Sequence, residues 1–437
     1  MEIVADLHVH SRFAMACSKS ITIKGMEETA LKKGIRVLST GDFTHPMWME
    51  EIESTLEEAE PGMYKVRGSK SEVRFVLGTE VCTVFNDGKG RQRRIHNCIL
   101  MPSIESAKAF NAEISKRGEL SSDGRPVLNM RASELVEEAF GASGDAFVFP
   151  AHAWTPWFGV FGSMSGFDSM KDAYEDQEKK IRALETGLSS DPKMNWMVSS
   201  LDKYSLVSNS DFHSLQKMGR EANALELNKL SYSGIINAIT GRKDSGFSKT
   251  IEFYPEEGKY HFDGHRNCKF SVDPAKSNIT VCPVCGKKLV LGVVHRVKEL
   301  ADREEGYVPQ NAVPYINLVP LAEILAHMWP FSAGVSCLSL SPMNAVYMCS
   351  ASLPSPSLCI DMYCTLPSGS IITVPRLACP VCSFRNPKLA VTFFVKSSMS
   401  GILLSITLGE VSAHFLCENM LSVLIARTSA PFFLKRS

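Results

Sequence analysis

Between Met1 and His213, short apolar runs repeatedly end in a histidine or a carboxylate. The opening run leads into Asp6-Leu7-His8-Val9-His10-Ser11. Residues two apart on a strand face the same side, so His8 and His10 present two imidazoles together, as a divalent metal requires. Asp42 and His45 follow the run 36–39, in Thr40-Gly41-Asp42-Phe43-Thr44-His45. Glu80 follows Gly78-Thr79, and His96 stands in Arg94-Ile95-His96-Asn97. His152 follows Phe149-Pro150-Ala151, and Asp211 and His213 close the series in Ser208-Asn209-Ser210-Asp211-Phe212-His213. Any one of these is weak as a motif, since short patterns recur by chance. Their common setting is the stronger signal, because α/β barrels place active sites at the C-terminal ends of their strands.

The spacing predicts strands over 2–8, 36–39, 73–77, 94–101, 146–150, 183–186 and 204–208. It predicts helices over 24–33, ended by Gly34, and 132–140. Strand-helix alternation favours an α/β sheet or barrel. Mixed His/carboxylate ligation suits Zn, Mn or Fe, and the number of candidates suits two or three ions.

A second cluster lies downstream. Cys282-Pro283-Val284-Cys285-Gly286 is a knuckle whose two thiolates can grip one ion. Cys268 is a natural third ligand, with His265 or His261 as the fourth. This spacing points to a structural zinc rather than a redox pair. Cys379-Pro380-Val381-Cys382 repeats the pattern without an evident partner pair.

Charge changes abruptly near residue 328. The segment 328–437 holds ten charged side chains, and the longer segment 1–327 holds all the others. The expected organisation is therefore a metal-binding domain over 1–245 and a zinc-binding module with flanking segment over 246–327. The remainder, 328–437, is an atypical tail that is frameshifted, fused or disordered. Six cysteines fall within 1–327, three of them in the cluster, which suits a reducing cytoplasm. Met1 leads straight into the first strand, with no basic leader and no long apolar run, so neither export nor membrane association is expected. A net charge of zero gives no global signal for nucleic acid. Local candidates are Arg91, Arg93 and Arg94, beside Lys89, as phosphate contacts, and Trp154 and Trp157, beside Phe158, for stacking on a base. A solvated hairpin tip and ordinary core packing explain the same residues.

The order H-x-H, Asp after Thr-Gly, Gly-Thr-Glu, His, His and Asp-x-His resembles the polymerase and histidinol phosphatase (PHP) family over roughly residues 1–230. The resemblance implies a distorted seven-stranded β/α barrel with a two- or three-metal phosphoesterase site (Zn, Mn or Mg). It maps metal and catalytic roles onto His8, His10, Asp42, Glu80, His96, His152, Asp211 and His213. Phe43 stands where the family has His, which leaves His45 as the substitute ligand. No His lies in 12–19, which leaves a third metal position weak or empty. With the segment Tyr260-His261-Phe262-Asp263-Gly264-His265-Arg266, the knuckle, and Gly292-Val293-Val294-His295-Arg296, the stretch 1–327 resembles the archaeal endonuclease Q branch. That resemblance implies a DNA repair nuclease nicking 5′ to uracil, hypoxanthine or an abasic site. Damaged DNA would be its partner and a sliding clamp a further candidate. The alternatives are a small-molecule phosphatase, which has no need of the zinc module, and a degenerate nucleic-acid-binding scaffold, against which the near-complete ligand set argues.

Overall fold

The computed structural model describes residues 1–241, 245–320 and 323, and four short strands within the remainder. Met1–Pro320 forms one compact unit and Leu321–Ser437 a second.

The first unit opens with β1 (Glu2–Asp6), α1 (Ile23–Lys33), β2 (Val37–Ser39) and α2 (Pro46–Thr55). Helix α1 begins where the Thr22 hydroxyl accepts from the Gly25 N–H, 3.0 Å away. It buries Ile23, Met26 and Ala30 and ends at left-handed Gly34. A hairpin follows, β3 (Leu56–Glu60) and β4 (Met63–Val66), and then the long pair β5 (Arg74–Asn86) and β6 (Gln92–Met101). Next come α3 (Ile104–Ile114), β7 (Val127–Leu128), α4 (Ala132–Ala142), β8 (Phe147–Pro150) and α5 (Met170–Tyr174). The unit continues through β9 (Ala183–Glu185), α6 (Pro192–Asn195), β10 (Ser205–Val207), β11 (Ala222–Glu226), α7 (Tyr232–Gly241) and β12 (Phe247–Glu252). It ends with β13 (Asp263–His265), β14 (Phe270–Val272), α8 (Val293–Leu300) and β15 (Tyr315–Asn317).

Backbone pairing builds an eleven-stranded sheet with the path β15-β12-β11-β1-β2-β5-β4-β3, while β6 joins β5 to β8 and β7 pairs with β5. Strands β9 and β10 pair separately, in parallel. The ladders thus differ from a single seven-strand ring. The β3–β4 hairpin and the late strands β12 and β15 extend the sheet beyond the strands that carry the site. Strand neighbours alternate between two cores, as a pleated sheet dictates. Leu38, Phe75, Leu77, Ile99 and Val148 pack with residues of α1 to α4. Ile3, Ala5, Val37, Val76, Leu100, Phe147 and Phe149 pack with α7.

The expected boundary after residue 245 is crossed by the sheet. Strand β12 hydrogen-bonds to β11 on one side and β15 on the other, so the segment carrying the Cys/His cluster belongs to the same unit as the opening strands. In the second unit, β16 (Met362–Thr365), β17 (Ile371–Thr373), β18 (Val395–Lys396) and β19 (Ile402–Leu404) pair in the order β17-β16-β19-β18. The rest of the tail, with Cys379 and Cys382, lies outside the described residues. Among those described, no helix is long and apolar enough to cross a membrane.

Candidate metal centre

Strands β1 and β2 run parallel, as do β2 and β5. Antiparallel β6 brings its early residue His96 to the end of the sheet where β8 delivers His152, because Asn97 is in register with Pro150. Two triads form there, His8-His10-Asp211 and Glu80-His96-His152, each with its ligand atoms within 4.8 Å of one another. Glu80 lies between them. Its Oε1 is 2.8 Å from His96 Nδ1, 3.0 Å from His152 Nε2 and 3.6 Å from His8 Nε2; its Oε2 is 3.3 Å from His10 Nε2.

Two triad residues and the neighbouring Asp42 hold left-handed backbones that non-glycine residues rarely adopt: His152 (φ 30°), Asp211 (φ 44°) and Asp42 (φ 46°). Such strain persists only where the surroundings enforce it, and it concentrates at functional sites. Gly187 leaves room for His152, since a Cβ there would sit 2.7 Å from the His152 Cβ.

The imidazoles are aimed from behind. His8 Nδ1 is 3.0 Å from Glu185 Oε2, and His10 Nδ1 is 3.0 Å from Asp42 Oδ1. The other Asp42 oxygen accepts from the Ser11 N–H at 2.6 Å. Carboxylates so placed turn each Nε2 toward the centre. There His8 Nε2, His10 Nε2 and Asp211 Oδ1 are buried without a hydrogen-bond partner, although His10 Nε2 and Asp211 Oδ1 approach within 3.0 Å. Buried polar atoms left unmatched in this way fit a cation that they would share.

Electrostatics follow the geometry. Burial alone would raise the Glu80 carboxyl, but the His96 and His8 imidazoles beside it hold it well below the usual carboxylate range. Burial pushes His96 down to about 4 and holds His213 below the ordinary imidazole value. The His213 Nδ1–H donates to the Asp211 carbonyl at 2.9 Å, leaving its Nε2 as an acceptor at the mouth of the site.

The second cluster assembles as its spacing predicts. His265, Cys268, Cys282 and Cys285 bring one nitrogen and three sulfurs within 4.8 Å of one another. His265 ends β13, and the knuckle turns where the Gly286 N–H donates to the Cys282 carbonyl at 2.9 Å. Against the cost of desolvation, N–H donors of Val284 and Cys285 bring the Cys282 thiol down to about 7, toward the thiolate that a metal binds. This donor set fits zinc. His261 is not part of it: its Nδ1–H donates to the Ser189 carbonyl at 3.0 Å.

Two solved structures carry this architecture. No protein-family model matches the chain. The lesion-specific endonuclease PfuEndoQ from Pyrococcus furiosus matches with a TM-score of 0.64 at 33% identity, over 75% of this chain and 78% of that one. Endonuclease Q in complex with a 27-mer duplex carrying an abasic lesion at its active site matches with a TM-score of 0.66 at 34% identity, over the same shares. The chain belongs to the endonuclease Q family. Among curated relatives, an uncharacterized protein of Bacillus subtilis (strain 168), YqxK, is 28% identical over 337 residues, 73% of this chain and 82% of that one. An uncharacterized protein of Methanocaldococcus jannaschii, MJ0043, is 36% identical over 184 residues, 40% of this chain and 22% of that one.

Within this endonuclease Q fold, several residues singled out from the sequence take other places. Asp42 stands behind His10 rather than in either triad. His45 is outside the cluster: it caps α2, stacks on Phe13 at 4.2 Å and has its Nε2 3.1 Å from the Ser121 carbonyl. Phe43 is fully buried in the main core. Trp154 is also core, donating from Nε1 to Asn195 at 2.8 Å and packing on Phe161. Trp157 is exposed, and Phe158 stacks on His96 at 4.4 Å. Arg93 is engaged internally by Asp87, the Gly166 carbonyl and the Phe167 ring. Arg91 is exposed beside the hairpin turn, and Arg94 is half-buried and bonds Gln92.

Two residues escaped the sequence reading. Glu185 ends β9 in Ala183-Leu184-Glu185-Thr186-Gly187, the same strand-end carboxylate pattern as Glu80, and that signal was there to find. Arg125 lies in a loop without any motif, yet its Nη1 is 3.3 Å from Glu80 Oε2.

Proposed function

We propose that the chain is a metal-dependent DNA repair endonuclease that nicks the strand 5′ to an abasic site or a deaminated base, uracil or hypoxanthine. The observation that carries the reading is Glu80 set between two ligand triads, in a chain 34% identical to an enzyme held on a lesion-bearing duplex. Two divalent ions (Zn, Mn or Mg) held there would acidify water near neutral pH and neutralise charge on the scissile phosphate. His8, His10 and Asp211 would hold one ion; His96 and His152 the other; Glu80 would serve both. Glu185 and Asp42 keep the two opening imidazoles in the productive tautomer, with Nδ1 protonated and Nε2 free. Neutral His213, at the mouth, can take or return a proton as the phosphodiester is cut to 3′-hydroxyl and 5′-phosphate ends. A damaged base must leave the stack to be read, and Trp157 with Phe158 offers aromatic surface beside His96 for it. The Cys/His cluster would bind one structural zinc.

The test is incubation of purified protein with Mn²⁺, Mg²⁺ or Zn²⁺ and end-labelled duplexes carrying uracil, hypoxanthine, an abasic site or no lesion. A metal-dependent nick 5′ to the lesion, lost in Asp211→Asn and His213→Ala, is the expected result. Turnover of a small phosphomonoester with no nick would replace this reading with a phosphatase.

A further inference from the structure

We infer that Arg125 grips the phosphate that is cut, donating from Nε and Nη2 to its non-bridging oxygens; this rests on the endonuclease reading above. Most of the metal centre is sealed. Its opening is lined by the side chains that keep some exposure: Asp211 (25%), His213 (34%), His152 (13%) and Arg125 (20%). Of these, Arg125 alone is a permanent cation. Among the described residues its guanidinium makes one hydrogen bond, from Nη1 to Glu80 Oε2. That bond engages Nη1 and leaves Nε and Nη2 without a partner among the described residues, on a side chain that keeps 20% exposure. A fork with two free donors matches the spacing of phosphate oxygens, which a point charge does not.

The loop is built to put the guanidinium there. Gly124 passes so close to Asp42 that a Cβ would lie 2.4 Å from Asp42 Oδ2. Its N–H donates to the Phe13 carbonyl at 3.2 Å, and its own carbonyl accepts from the Thr44 hydroxyl at 3.3 Å. The Arg125 N–H donates to Asp123 at 2.9 Å, and the Pro126 carbonyl accepts from the Cys82 N–H at 3.0 Å. Arg125 is thus held on both flanks against the residue that serves both triads. A phosphate seated at the opening falls beside it. A cation placed in advance where phosphate charge collects stabilises the bound and the reacting ester without reorganisation.

A role limited to balancing the charge of Glu80 predicts a different outcome, and the experiment separates the two. Full-length wild type, Arg125→Met and Arg125→Lys are compared for bound metal, for nicking, and for affinity in Ca²⁺ toward a duplex with one abasic site. The phosphate 5′ to the lesion is either natural or a neutral methylphosphonate. In the wild type the methylphosphonate weakens binding by more than the roughly tenfold worth of one charge-assisted hydrogen bond, because the neutral ester also loses its attraction to the metal ions. In Arg125→Met the natural duplex binds about tenfold more weakly and the methylphosphonate penalty shrinks by about the same factor to the part that the metal ions impose, with metal content unchanged; Arg125→Lys keeps an intermediate penalty. An equal penalty in wild type and Arg125→Met overturns the inference. So does a loss of barrel metal in both variants that accounts for the whole loss of binding. A wild type that nicks no lesion duplex removes the endonuclease reading first, and this inference with it.

Discussion

Glu185 Oε2 lies 3.0 Å from Nδ1 of His8, across 177 residues of sequence, and also accepts from the His152 N–H at 2.7 Å and, through Oε1, from Asn209 at 2.8 Å. One buried carboxylate thereby orients a residue of each triad. Glu185→Gln is expected to weaken metal affinity at the Glu80 centre roughly 10- to 100-fold, the usual cost of losing such a partner. Metal titration followed by mass spectrometry checks it; unchanged affinity would make Glu185 a packing residue.

His45 and His10 should separate cleanly. His10→Ala removes a donor aimed at the centre and abolishes metal binding there. His45→Asn leaves the metal content and the nicking rate as they were, with a stability loss of about 1 kcal/mol from the ring stacked on Phe13. Loss of barrel metal in His45→Asn would restore it as a ligand.

The Cys/His cluster answers to chelation. If the cluster holds a zinc as proposed, Cys285→Ser is expected to drop the zinc content by one ion per chain and to leave metal binding at the Glu80 centre unchanged. Because the binding energy of such a site is folding energy, limited proteolysis should then cut within 263–292 faster than in the wild type.

Glu221 and Glu252 are expected to make stability depend on pH. Both are fully buried, and burial raises both, Glu252 to about 8 from an ordinary value of 4.5. The folded state therefore holds its proton more tightly than the unfolded chain does. The resulting stabilisation is complete below about 4.5 and is lost as pH rises through about 8. Glu252→Gln keeps an acceptor for the Thr186 and Ser208 hydroxyls, 2.9 and 3.1 Å away, without the charge. Its melting temperature should exceed that of the wild type by a few degrees at pH 8.5, with the two converging at pH 5. Parallel melting curves across that range would refute the assignment.

Trp154 and Trp157 should divide stability from binding. Trp154→Phe leaves buried Asn195 without its donor and costs about 1–3 kcal/mol. Trp157→Ala, at an exposed position, stays within about 0.5 kcal/mol of the wild type in denaturant melts. Its expected defect is a several-fold weaker affinity for lesion duplexes, with undamaged duplex unaffected. Equal affinity for both would assign Trp157 to the surface alone.

Much of this protein was open to its sequence because the governing rules are short-range. Two-residue alternation placed His8 beside His10, and apolar runs ending in Asp, Glu or His marked the end of the sheet where a site would lie. The knuckle and its upstream pair, His265 and Cys268, predicted a four-donor cluster that the fold assembles. Other features had no local signal. The backbones of Asp42, His152 and Asp211 are strained in ways that residue type does not announce. Asp42 has the chemistry of a ligand, and only its distance to His10 Nδ1 shows that it stands behind one. Trp154 and Trp157 are close neighbours in sequence and equally suited to stacking; packing on Phe161 buries one, and exposure leaves the other.

The sequence by itself determined which donor types recur at strand ends, and the three cysteines of the Cys/His cluster, since both depend on periodicity and spacing within one stretch of chain, while the choice of His265 over His261 fell to the fold. The tertiary structure decided which nitrogen of each imidazole faces the centre, that Glu80 serves both triads, and that Arg125 stands at the opening. Those outcomes depend on contacts between segments 32 to 177 residues apart, such as His10 with Asp42 and His8 with Glu185, which local preference cannot encode and only the closed packing of the sheet brings together.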